Sequence, residues 1–267
     1  MPSYGCGRLA PQSQRWGIPE LLTARPSNVV WVEEEIAWDQ EADNWVRWAR
    51  TPGHDAYWQY REAFFDQIVP HPGRCTLEVG CGEGRVARDL RHLGHRVVAV
   101  DRSRRLLEYA QGADQEGAYL LANAAELPVA DASCDLVVAY NSLMDVADMP
   151  RTIGEASRVL EPGGHLCVCV THPLSEAGGF VGSDASATFE IAGSYFGRRT
   201  FEGTFERDGL SMTFRGWSYP LEDYLRACEA AGLLLETLRE PLPATTTGHY
   251  VKWRRIPMFL TMRLVKP

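Results

Sequence analysis

Residues 77–84 read Leu-Glu-Val-Gly-Cys-Gly-Glu-Gly, and Asp101 closes the next apolar run, Val97-Val98-Ala99-Val100. An acidic residue, three alternate glycines and a carboxylate past a second apolar run describe a strand, a tight loop, a helix and a second strand. Glycine has no Cβ, so it accepts positive φ and lets a ligand lie against the backbone. The helix N-terminus behind the loop offers free N–H groups and a positive dipole end, which suit a carboxylate or phosphate. A carboxylate ending the second strand can accept from two neighbouring hydroxyls.

The rival pattern is the dinucleotide fingerprint G-x-G-x-x-G. Counted from Gly80, its third glycine falls at position 85, where this chain has Arg85, with Gly84 one place early. A bulky arginine where helix and strand should pack closely argues against a pyrophosphate turn. The spacing Glu78-x-Gly80-x-Gly82-x-Gly84 resembles instead the S-adenosylmethionine (SAM) loop of class I methyltransferases.

Outward from this loop the alternation continues. Strand one is expected at Cys75–Val79, a helix at Glu83–Leu93, strand two at Arg96–Val100, a helix at Arg104–Gln111 and strand three at Ala118–Leu121. Strand four is expected at Cys134–Ala139, a helix at Pro150–Leu160 and, after Pro162-Gly163-Gly164, strand five at Leu166–Val170. Short apolar strands alternating with helices predict an α/β fold with a doubly wound parallel sheet, covered on both faces. Ligands of such sheets bind beyond the carboxyl ends of the strands.

Residues 172–218 break the rhythm with glycines and aromatics and no long helix, which predicts a lid or cap. A helix over Leu221–Ala231, a strand over Leu233–Leu238, a polar loop over Pro241–Arg255 and a last strand over Ile256–Val265 follow. Residues 1–30 read as an extended arm. Residues 31–69 read as aromatic-rich helices divided at Pro52-Gly53, in which Trp38, Trp45 and Trp48 form a stripe. The stripe is either core or docking surface, or an aromatic wall over a flat substrate. The expected organisation is therefore an N-terminal arm with aromatic helices (1–70), a cofactor-binding core (71–171), a lid or cap (172–218) and a C-terminal completion of the sheet (219–267).

The chain has 267 residues with 45% apolar content, enough for the core of one large domain or a domain with a cap. A net charge of −8 argues against nucleic acid, which needs a basic footprint. Arg85, Arg88, Arg91, Arg96, Arg102, Arg104 and Arg105 read as a solvated helix face. The seven cysteines include no C-x-x-C pair, so zinc has little support, and Cys167 and Cys169 read as small core residues facing one way. The odd count and the lack of a secretory signal predict a reducing, cytoplasmic setting, and no apolar run is long enough to span a bilayer.

From about residue 75 to 170 the chain resembles the class I SAM-dependent methyltransferases in four segments. They are the glycine loop, Asn123-Ala124-Ala125-Glu126-Leu127-Pro128, Cys134-Asp135-Leu136-Val137-Val138, and the Glu155–Gly164 turn with Arg158-Val159-Leu160 and Pro162-Gly163-Gly164. The resemblance implies a Rossmann-like seven-stranded sheet of order 3-2-1-4-5-7-6 with the last strand antiparallel. It implies cofactor contacts at Glu78, Gly80, Cys81, Gly82, Gly84, Asp101, Arg102, Asn123, Ala124, Ala125 and Tyr140. The loop would serve the methionine part, Asp101 the ribose diol, Arg102 the adenine face, Asn123 and Ala124 the adenine edge, and Tyr140 the methionine end. Asn123 departs from the family's usual acid there, although its amide oxygen can still accept from an amino group.

This reading predicts in-line methyl transfer from the SAM sulfonium to an oxygen or nitrogen of a small-molecule acceptor, leaving S-adenosylhomocysteine. No nucleic acid or membrane partner is expected, and a monomer or homodimer is. Metal is not expected, because Thr171-His172-Pro173 follows strand five where metal-dependent relatives carry a carboxylate, and Asp145 and Asp148 read as helix caps. His172, at the carboxyl end of strand five, is the candidate base, against a structural role before a proline turn. His249 is the weaker second candidate, and His54, His71, His92, His95 and His165 read as solvated. A SAM-binding protein without catalysis, or a nicotinamide-dependent oxidoreductase, are the alternative readings.

Overall fold

The computed structural model describes residues 33–267. The expected arm over 1–30, with Cys6, and Trp31 lie outside the described residues. Two helices come first, α1 (Glu33–Arg50) and α2 (Tyr57–Gln67). The alternation then runs β1 (Thr76–Val79), α3 (Arg85–His92), β2 (Val97–Asp101), α4 (Arg104–Ala113), β3 (Ala118–Leu121), β4 (Cys134–Tyr140), α5 (Met149–Val159) and β5 (Leu160–Thr171). A short helix, α6 (Pro173–Glu176), leads into two hairpins, β6 (Gly178–Val181) with β7 (Thr188–Ile191) and β8 (Arg199–Arg207) with β9 (Leu210–Ser218). Then come α7 (Leu221–Ala230), β10 (Leu234–Arg239), a 3-10 segment (Gly248–Arg254) and β11 (Phe259–Val265).

Seven strands form one sheet in the order β10-β11-β5-β4-β1-β2-β3. Strands β1 to β5 are mutually parallel, whereas β11 is antiparallel to both β5 and β10. This is the expected order, with β10 and β11 as its sixth and seventh strands.

Side-chain alternation divides the core between the two sheet faces. Leu136, Val138 and Tyr140 of β4, with Cys167 and Cys169 of β5, pack against Tyr57, Tyr60 and Phe64 of α2 and Val86 and Leu90 of α3. Val137, Ala139, Leu166 and Val168 face the other way, onto Ile153 and Ala156 of α5 and Tyr224 and Ala227 of α7. Because both faces are covered, the central strands are apolar throughout rather than alternating.

Several expectations need correction. β5 begins at Leu160 rather than Leu166, because the Pro162-Gly163-Gly164 turn pairs with the chain end: Gly163 N–H donates to Lys266 O and Lys266 N–H to Gly164 O. Residues 172–218 are hairpins rather than irregular lid, and β8–β9 turns at Asp208-Gly209 with φ of 51° and 75°, as a two-residue type I′ turn requires. The polar loop over Pro241–Arg255 contains the 3-10 segment. Arg85 does not belong to a solvated face: its side chain is 14% exposed and its Nη1 lies 2.5 Å from Asp55 Oδ2. His54 and His95 are likewise buried.

Candidate active site

The glycine loop is tied to β2 by its backbone. Gly80 and Cys81 N–H both donate to Val100 O, at 2.9 and 3.0 Å. Gly80 has φ 75°, and a Cβ there would stand 2.4 Å from Ser142 Cβ, so no side chain fits. Gly82 N–H donates to Asp101 Oδ2 at 2.7 Å, and Ser103 N–H to Asp101 Oδ1 at 2.8 Å. These two bonds fix the carboxylate and leave each oxygen a further lone pair. Gly84, at φ 81°, begins α3, and a Cβ there would meet Tyr119 Oη at 2.8 Å.

The loop opens into a cavity of about 950 Å³, at the upper end of the roughly 300–1,000 Å³ usual for small-molecule sites. All the residues expected at the cofactor except Gly84 line it. Gly84 lies behind, shaping the turn. Asn123 Oδ1 takes the Ala125 N–H at 2.9 Å, which orients the amide and leaves its oxygen a second lone pair.

Three buried polar atoms of cavity-lining residues have no hydrogen-bond partner among the described residues: Glu78 Oε2, Tyr140 Oη and Asn141 Oδ1. Glu78 is 2% exposed, and burial pushes its carboxyl well above the usual range, with Asp101 and Glu83 adding to the rise and Arg88 opposing it. An amino-acid head group matches this set. Its ammonium would satisfy the two acceptors, its carboxylate the tyrosine hydroxyl, and a ribose diol would meet Asp101. The residues present therefore fit the sulfonium nucleoside SAM.

Residues 77–168 match a family model described as a methyltransferase domain. Over this stretch the chain is similar to the SAM-dependent methyltransferases. Over 94 residues the chain is 34% identical to a malonyl-[acyl-carrier protein] O-methyltransferase of Pectobacterium atrosepticum, covering 35% of this chain and 37% of that protein. Over 162 residues it is 29% identical to a probable SAM-dependent methyltransferase of Mycobacterium tuberculosis, covering 59% of this chain and 54% of that one. The chain thus spans about a third to a half of the length of these curated relatives. The crystal structure of a SAM-dependent methyltransferase from Mesorhizobium loti has the same fold, with a TM-score of 0.62 at 24% identity over 79% of this chain and 98% of that one.

Beyond the loop, the cavity is walled by aromatics. Trp38, Trp45 and Trp48 of α1 face it together with Phe201, Phe205 and Phe214 of the β8–β9 hairpin. Phe214 meets Trp45 and Trp48 edge-on, at 6.0 and 6.1 Å between ring centroids. The tryptophan stripe is thus both a docking surface for the hairpin and a wall of the cavity.

His172 is not among the residues lining the cavity. Leu174 N–H donates to its Nδ1 at 3.0 Å, which caps α6, and its Nε2 lies 2.9 Å from Glu240 Oε1. An Nδ1 that accepts from the backbone requires the neutral ring's proton on Nε2, where it is donated to Glu240. Burial lowers its pKa, with Glu240 opposing. Both nitrogens are spoken for, so the geometry gives this histidine a structural task. His249, the second candidate, does line the cavity.

Two further acids also reach it, Asp145, expected as a helix cap, and Glu176. Asp148 caps α5 as expected, accepting from Arg151 N–H at 3.0 Å, but Asp145 does not: it lines the cavity. Burial pushes the Asp145 carboxyl well up, Arg102 opposing and Glu176 adding to the rise. Glu176, at the end of α6, is a further carboxylate that lines the cavity. Ser218 Oγ donates to its Oε2 at 2.8 Å, and burial raises its pKa to about 7. Among the described residues no three His, Cys, Asp or Glu side chains are grouped to hold a metal ion, and no helix is long and apolar enough to cross a membrane.

Proposed function

We propose that this chain transfers a methyl group from SAM to an oxygen or nitrogen of a small-molecule acceptor, without a metal ion. The observation that carries the reading is the Asp101 carboxylate, held by Gly82 and Ser103 beside a cavity that continues past the loop under aromatic walls. When bound, SAM supplies an already activated methyl on its sulfonium. The protein then has to align, exclude water and take a proton. Gly80 and Gly82 let the methionine part approach the backbone. The aromatic hairpin and α1 enclose the acceptor. Glu176, with a pKa of about 7, is matched to accept the acceptor's proton near neutrality.

The test is conversion of methyl-labelled SAM over a panel of small-metabolite alcohols, phenols and amines, with and without EDTA. Labelled product that persists in EDTA supports the reading. Label transfer that stops in EDTA and returns with magnesium overturns metal independence. A panel without any transfer, at normal SAM affinity, favours the non-catalytic alternative.

A further inference from the structure

One end of the cavity carries two cations, Lys252 and Arg207. Lys252, in the 3-10 segment, is 9% exposed. Its Nζ donates to Gly182 O at 3.2 Å and lies 5.2 Å from the Phe180 ring centroid. No carboxylate among the described residues forms an ion pair with it. Buried charges in proteins are ordinarily paired, because a carbonyl and a ring return little of the lost hydration.

Arg207, at the end of β8, stands at the same end. Its Nη1 donates to Tyr250 Oη at 3.2 Å, and its guanidinium lies 5.4 Å from the Trp48 ring centroid. The acid beside it, Asp208, is 4.0 Å from Nε and 79% exposed. Its Nη2 is buried and has no hydrogen-bond partner among the described residues. Asp55, the other carboxylate within reach of its charge, is engaged by Arg85. His249 completes the group: burial lowers its pKa first, then the charges of Lys252 and Arg207 lower it further. All three side chains line the cavity.

We infer that the methyl acceptor is an organic anion whose carboxylate seats between Lys252 Nζ and Arg207 Nη2, beside His249. The inference rests on the methyl-transfer reading and names the acceptor class for it. A guanidinium offers a planar fork that matches a carboxylate, and the ammonium adds a point charge. The cofactor's own carboxylate is the rival occupant. It has candidate partners in Glu78, Tyr140 and Asn141, which line the cavity with buried polar atoms that lack a hydrogen-bond partner among the described residues. Lys252 and Arg207 come instead from the 3-10 segment and the β8–β9 hairpin, which lie outside the matched cofactor domain. An acceptor anchored there by its anion extends between the aromatic walls toward Glu176.

The experiment keeps S-adenosylhomocysteine saturating and titrates benzoate, benzamide and phenyl phosphate, reading thermal shift and tryptophan fluorescence. Benzoate is expected to stabilise the protein and benzamide to have no effect. Lys252→Met and Arg207→Gln should each weaken benzoate about tenfold or more, the size of one lost charge-assisted bond. Lys252→Arg should retain most of the binding. S-adenosylhomocysteine affinity should be the same in all variants, which also reports that they fold. Equal binding of benzamide and benzoate, benzoate binding that survives Lys252→Met, or binding of phenyl phosphate alone would each overturn the carboxylate subsite. A fall in S-adenosylhomocysteine affinity in folded Lys252→Met would assign the cations to the cofactor and overturn it too. Wild-type protein that does not bind S-adenosylhomocysteine defeats the methyl-transfer reading instead, and benzoate against benzamide still decides the anion site.

Discussion

The Asp101 carboxylate accepts the Gly82 backbone N–H at 2.7 Å, joining the end of β2 to the glycine loop. One side chain therefore holds the loop in shape and, on the proposed reading, would also present lone pairs to a ribose diol. Replacing it by alanine should remove the ribose bonds and release the loop together. Loss of charge-assisted bonds of roughly 1.5–3 kcal/mol corresponds to about a 10- to 150-fold weaker Kd. Titration calorimetry with SAM checks this. Unchanged affinity in Asp101→Ala would remove the residue from the cofactor site.

Gly80 and Gly82 should respond differently to alanine. At Gly80 a Cβ would lie 2.4 Å from Ser142 Cβ, and Ser142 Oγ donates to Val79 O at 2.7 Å, so the clash strains the buried end of β1. At Gly82 the nearest atom to a Cβ is Trp45 Nε1 at 3.5 Å, an ordinary contact. Both carry the positive-φ cost, about 1–2 kcal/mol for a residue with a side chain. Urea denaturation should find Gly80→Ala less stable than Gly82→Ala. Calorimetry should find SAM binding weakened in both. Equal stabilities would mean that Ser142 moves aside freely.

The loop and the core strands were legible because local chemistry decides them, whereas the sheet order followed only from the family resemblance. Glycine spacing, apolar runs and the proline-glycine turn act within a few residues. The β8–β9 hairpin was legible too, since Asp208-Gly209 between alternating residues is a strong hairpin signal, and reading the segment as irregular lid overlooked it. Arg85 was not legible. Its burial depends on Asp55, thirty positions earlier, and on the Tyr57 ring 4.2 Å away, and no pattern within α3 reports either. The same holds for the exchange between His172 and Glu176. Strand position and the imidazole's neutral-range pKa favoured the histidine, but Glu240 and the Leu174 N–H engage its nitrogens, while burial raises the pKa of the Glu176 carboxyl to about 7.

The β8–β9 hairpin should behave as a closing element. Phe201, Phe205 and Phe214 line the cavity, and Phe214 rests on two tryptophans of α1, while β8 is largely exposed and β9 mostly half-buried. Amide exchange over 199–218 should slow when S-adenosylhomocysteine and an acceptor occupy the cavity. Phe214→Ala should speed exchange in the free protein and raise KM for the acceptor more than for SAM. Identical exchange with and without ligands would make the hairpin a fixed wall.

His172→Ala should act on stability rather than on chemistry. It removes the acceptor that caps α6 and the bond to Glu240. Loss of a cap costs about 0.5–2 kcal/mol, readable as a lower urea midpoint. The methyl-transfer rate at saturating substrate should change much less than in Glu176→Gln. A rate loss of a hundredfold or more at unchanged SAM affinity would return the histidine to the role of base, in line with the roughly 10²–10⁴ such groups contribute.

Glu176 carries the pH dependence. Burial raises its pKa from 4.5 to about 7, against the Ser218 hydrogen bond and the Arg199 charge. The folded protein therefore keeps this proton over a window in which the unfolded chain has lost it. Stability contributed by the protonated group is present at the acidic side of the window and falls as pH rises toward 7. Activity should run the other way, because only the ionised carboxylate can accept the acceptor's proton. The rate of an acceptor that must lose a proton should climb with pH and level off above about 7. Glu176→Gln should lower that rate by roughly 10²–10⁴ and abolish the rise. It should also remove its share of the stability slope, measured by urea denaturation on either side of the window. Glu78 and Asp145 are shifted in the same direction, so the comparison has to be wild type against variant. A variant with lower stability, an unchanged rate and an unchanged pH profile would leave Glu176 as a buried acid holding Ser218, and the enzyme would then work on an acceptor that needs no base.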